Sequence, residues 1–123
     1  MRNLFISIML LSVPSVAFVA DADEVFLEGF PDVPLLEGVR EKQEDRVVFD
    51  TLGGTVAQTV LISEKAASTV LARYATALPT FGWQCNHSSQ QLQCKREGNG
   101  LLFSSQNAGE KAARIILRLE PNK

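Results

Sequence analysis

The sequence predicts an α+β domain: a single antiparallel sheet in the order ββαββββ, one helix packed on one face, and an extended N-terminal arm in front. Three observations carry this. Short runs of β-branched and aromatic residues are separated by turns at Gly53-Gly54 and Gly98-Asn99-Gly100. One stretch, residues 64–78, repeats apolar side chains at helical spacing and stops at Pro79. Around Cys85 and Cys94 the side chains alternate in a way that suits a hairpin with both sulfurs on one face.

The chain opens with Arg2, an apolar stretch over residues 4–13, and small residues at Ala17, Ala20 and Ala22. This is the layout of a cleaved secretory signal peptide over residues 1–22, cut before Asp23, with a second site before Phe18. An uncleaved anchor is the competing reading. Residues 4–20 supply 17 positions with Pro14 inside, against the roughly 20 that a spanning helix needs. The leader implies the periplasm, and no further stretch is long enough to span a bilayer after cleavage.

Residues 23–45 read as an extended arm and a charged link. Pro31 and Pro34 each lack a backbone donor and hold the preceding residue extended. The arm is greasy: Phe26, Phe30, Val33, Leu35 and Leu36 follow no period. They either pack back on the open sheet face or wait for a partner. Packing back is favoured, because an exposed apolar arm invites aggregation. Residues 39–45 read as a solvated link.

The domain proper is expected over residues 46–123. Residues 46–51 and 55–62 form a hairpin across Gly53-Gly54. Ser63 is placed to cap the helix and Glu64 to meet its dipole. Ala67, Val70, Leu71, Tyr74, Ala77 and Leu78 make the apolar face. Gly82 reverses the chain. Residues 81–86 and 92–97 are the next strands, followed by residues 101–105, a loop over 106–111, and a last strand over 113–119. Ile115, Leu117 and Leu119 share one side of it. Which strands form the edges is not fixed by these runs.

Few residues can carry chemistry. The chain has 12 Lys plus Arg, 14 Asp plus Glu, one His and two Cys, with net charge -2. A basic footprint for nucleic acid is absent. Both methionines lie in the first ten positions, and one His with two Cys falls short of a four-ligand zinc site. No metal or cofactor is expected. Cys85 and Cys94 read as a cross-strand disulfide in an oxidising compartment rather than a redox pair, since redox cysteines usually sit two apart at a helix start. His87 reads as a polar hairpin tip. Asp50 and Glu97 are carboxylates at strand ends. No nucleophile elbow is present, and the glycine pairs do not precede a helix start, so phosphate-loop geometry is missing. No catalytic residue is expected, and the chain reads as a non-enzyme.

Residues 34–38 (PLLEG), 48–51 (VFDT), Gly54-Thr55-Val56, Tyr74 with Leu78-Pro79, Gly82-Trp83 and Arg96-Glu97-Gly98 resemble a family of small exported periplasmic proteins of alphaproteobacteria. The resemblance implies an envelope location, and it carries over no activity and no site residue. Cys85 and Cys94 depart from the pattern. The expectation is a binding module for a protein or envelope component, acting through a sheet edge or the arm. The alternative is a carrier of a small apolar ligand, held between helix and sheet near Tyr74, Trp83 and Leu71. Partner identity and oligomeric state stay open.

Overall fold

The computed structural model describes residues 25–106 and 112–122. The signal peptide expected over residues 1–22 and most of the loop expected over 106–111 lie outside the described residues. The elements run β1 (Val39–Glu41), a 3-10 turn (Gln43–Asp45), β2 (Val47–Thr51), β3 (Gly54–Ser63), α1 (Ala67–Ala77), a second 3-10 turn (Leu78–Phe81), β4 (Gln84–His87), β5 (Gln91–Arg96), β6 (Asn99–Ser105) and β7 (Ala113–Pro121). The α+β class holds: one antiparallel sheet, ordered β1-β3-β7-β6-β5-β4, with β2 also on β3 and a single α-helix.

Strand alternation sorts the sheet into two faces. On β7, Ala113, Ile115, Leu117 and Leu119 are buried, while Arg118 and Glu120 face solvent. Leu101 and Phe103 on β6, Leu92 and Cys94 on β5, and Ala57 and Leu61 on β3 join the same core. Helix α1 covers that face with Ala67, Val70, Leu71 and Tyr74, and Leu78 follows from the 3-10 turn. The Tyr74 and Phe103 rings meet at 4.9 Å between centroids.

β3 is the long member of the sheet. One side pairs with β7 from Ala57 to Ser63. The other side pairs with β2 from Gly54 to Gln58 and with β1 from Leu61 to Ser63. The two short strands therefore share one edge of β3, broken by the 3-10 turn between them.

Several boundaries differ from the sequence reading. Residues 39–45, read as a solvated link, hold β1 and a 3-10 turn; Val39 is buried and Lys42 N donates to Val60 O at 2.8 Å. The helix starts at Ala67, not at Glu64. Ser63 ends β3 instead, and its Oγ accepts from Lys65 N at 3.1 Å, a local turn in place of a helix cap. Strand β4 starts at Gln84, because Phe81 closes the 3-10 turn and Gly82 takes φ +92 to reverse the chain. The arm packs back as favoured, but on the helix side of the sheet and not on the open sheet face. Leu27 N donates to Val33 O, Leu35 N to Val25 O, and Tyr74 Oη to Pro34 O at 2.8 Å. Leu27, Phe30 and Val33 are core residues.

Candidate functional site

β2 has the composition of a strand and the exposure of a surface loop. Its sequence, Val47-Val48-Phe49-Asp50-Thr51, is β-branched and aromatic, so it takes the extended shape readily. Antiparallel pairing with β3 sets its faces. Val47 and Phe49 oppose Gln58 and Val56 and point away from α1, whereas Val48 opposes Ala57 and points to the helix side. Val47 is 52% exposed, Val48 46% and Phe49 51%. Both faces of the ribbon are thus apolar and wet. Among the described residues β2 pairs with β3 alone, so its outer edge carries no strand. Leu52 stands fully exposed at the turn.

A charged cluster fixes the corner from which β2 departs. Thr59 Oγ1 donates to Glu41 Oε2 at 2.7 Å. Arg46 grips the same carboxylate with Nε at 3.0 Å and Nη2 at 3.3 Å. Its remaining nitrogen, Nη1, binds Glu28. The Glu41 side chain is 5% exposed. A carboxylate so withdrawn from water requires such partners, and a two-pronged guanidinium is the best available. The hydrogen bond that Arg46 donates to Glu28, then the charge of Glu41, hold Arg46 above its usual pKa against the opposing effect of burial. Below β2 the arm comes close: a Cβ on Gly29, whose φ is +85, would lie 2.6 Å from Val48 Cγ2. An open cleft of about 500 Å³ runs alongside, lined by Phe30, Pro31, Val48, Asp50 and Leu119 among others.

The other end of the sheet is finished differently. β4 presents Gln84, Asn86 and His87 to solvent, and its Cys85 is bonded to Cys94. Polar side chains on an edge strand discourage further pairing, and β2 has no comparable guard on residues 47–49.

The residues singled out by sequence fall in different places. Cys85 and Cys94 are directly opposite in register and form the disulfide. Tyr74 and Leu71 are wholly buried and Trp83 is 2% exposed, all within the core. Of the arm residues, Phe30 and Val33 are buried, Leu35 and Leu36 are partly buried against the core, and Phe26 is exposed with its ring edge-on to Phe81 at 5.4 Å. His87 and Glu97 lie at opposite ends of β5, and Asp50 is on β2, so these three do not converge. Among the described residues no group of three or more His, Cys, Asp or Glu could hold a metal ion, and no helix is long and apolar enough to cross a membrane.

A second, polar cleft of about 600 Å³ opens where the arm meets the β5–β6 turn. There the Arg96 guanidinium stacks 4.7 Å over Trp83 and donates to Asp32 Oδ2 at 2.9 Å and Phe81 O at 2.8 Å. Lys95 and Arg96 are balanced by Asp32 and Glu97 in the same lining. The cleft has no net charge with which to select an ion.

Sequence reasoning named a sheet edge but not β2. The available signal was the unbroken run Val47-Val48-Phe49. Such a run ordinarily marks a strand buried on both faces, and only the pairing order reveals that here it lies at the margin. No family model matches the chain, and no curated protein and no solved structure matches it either.

Proposed function

We propose that the chain is a non-enzymatic periplasmic module that binds a protein partner by taking an extended segment as an added strand along β2. One observation carries the reading: Val47, Val48 and Phe49 expose apolar surface on both faces of an unpaired edge. A partner lying flat on one face would cover Val47 and Phe49 and leave Val48 wet. A strand alongside covers all three, because its own side chains alternate between the faces. Main-chain hydrogen bonds supply the affinity in this mode, and the cleft beside Val48 can receive one side chain of the added strand. The disulfide supports an oxidising compartment, and the leader-like first 22 residues agree with export to the periplasm.

Site-specific photocross-linking in intact cells tests the reading. A photoreactive residue at Val48 is expected to give a discrete adduct, and the same residue at Gln84 on the guarded edge none. Equal labelling at both positions, or none at Val48, rejects strand addition at β2.

A further inference from the structure

The residues flanking the centre of β2 are chemically opposite to one another. Read outward from Val48, Val47 is matched by Phe49, and Arg46 by Asp50. Two such strands laid antiparallel about a two-fold axis at Val48 bring each residue against its complement. Val47 meets Phe49 twice, an aromatic and β-branched cross-strand pair of the favoured kind. Arg46 meets Asp50 twice, an opposite-charge pair. Val48 meets itself. We propose that the strand added at β2 is the β2 of a second copy of this chain, paired antiparallel with Val48 at the centre. The proposal rests on the strand-addition reading and names its partner.

One charge changes partner to do this. The Arg46 side chain is 19% exposed and its three nitrogens are engaged, Nε and Nη2 by the nearly buried Glu41 and Nη1 by Glu28, whose side chain is 84% exposed. Water reaches the Glu28 end of that pair and weakens it, so Asp50 of a second copy can share or replace Glu28 at Nη1. Among the described residues the Asp50 side chain accepts a hydrogen bond from Thr55 Oγ1, at 2.9 Å, and it is exposed.

Register is selected by mismatch elsewhere. A slip of two residues sets Val48 against Asp50 and Arg46 against Leu52, burying charge on apolar side chains. The pairing also closes on itself. A two-fold contact uses both β2 edges at once and leaves outside only the polar β4 edges and the three-residue β1, too short to carry a ladder, so growth stops at two chains. The apolar surfaces of Val47, Val48 and Phe49 are covered in both copies together.

Purified protein, with its disulfide intact, gives the test. Light scattering behind size exclusion is expected to show a mass rising with concentration to twice that of one chain. Asp50→Arg sets like charges opposite at two positions and is expected to weaken the dimer by about tenfold or more. A Val48→Cys variant is expected to form a covalent dimer on mild oxidation, since cross-strand Cα spacing lies within disulfide reach. Leu52→Cys, at least as exposed, is not. A wild type that stays monomeric at every accessible concentration overturns the proposal. So does a dimer indifferent to Asp50→Arg, or one that Leu52→Cys traps as well as Val48→Cys. If the chain is monomeric yet Val48 still labels a different protein in cells, self-pairing falls and strand addition stands. If Val48 labels nothing, both fall.

Discussion

Tyr74 ties the arm to the helix through one hydroxyl, which donates to Pro34 O at 2.8 Å and lies 3.5 Å from Leu36 N as its acceptor. Burial disfavours the phenolate, and the hydrogen bond from Leu36 offsets this only in part, so the pKa is pushed up to about 12. A phenol raised in the folded state contributes its full stability below pH 10, the unfolded value. It loses that contribution as pH climbs from about 10 to about 12. Two pKa units correspond to roughly 2–3 kcal/mol. Tyr74 is the single tyrosine, so absorbance at 295 nm reads it alone. The expected midpoint is near pH 12 in the folded protein and near pH 10 in denaturant; a folded midpoint near 10 would contradict the burial. Little of this was legible in the sequence. Helical spacing put Tyr74 on the inner face, which is correct. Its bond goes to a main-chain carbonyl forty residues away, and no pattern of side chains records that.

The β4–β5 hairpin was legible almost in full, because two independent signals agreed. Pairing Cys85 with Cys94 and pairing the alternating apolar positions gave one register, which the structure shows, with His87 opposite Leu92. Replacing both cysteines by serine is expected to cost at most roughly 2–3 kcal/mol, the chain-entropy value for so short a loop. The cost should be smaller where the hairpin already restricts the unfolded chain. Urea unfolding of the double variant against the oxidised protein measures it, and a loss above about 5 kcal/mol would mean that the sulfurs do more than staple. β1 was not legible for the opposite reason. It is three residues long, buries only Val39 fully, and pairs with a segment twenty residues on. Such a strand exists only because β3 offers it an edge. The helix start was misread because Ser63 serves two neighbours, and the strand claimed it.

At the scale of the whole molecule the arm is part of the core rather than an appendage. Leu27, Phe30 and Val33 are buried with α1 and the sheet, and Arg73 Nη1 donates to Glu37 O at 2.7 Å. Burying three such side chains contributes about 5–9 kcal/mol at the usual rate per residue, comparable to the whole stability of a small domain. Deleting residues 25–37 is therefore expected to abolish cooperative unfolding, followed by circular dichroism in urea. A sharp transition at an unchanged midpoint would show that the domain stands without the arm. The sequence placed the arm correctly as inward-turning but chose the wrong face, since the face depends on where the helix crosses.

β3 has a further consequence. It is gripped along one flank by the continuous β7, and along the other by two short neighbours interrupted at Gln43–Asp45. Each neighbour bonds to its own stretch of β3, apart from the ladder to β7. The margin proposed to accept a strand is therefore built apart from the slab behind it, and a second strand laid along β2 would leave the ladder to β7 as it stands.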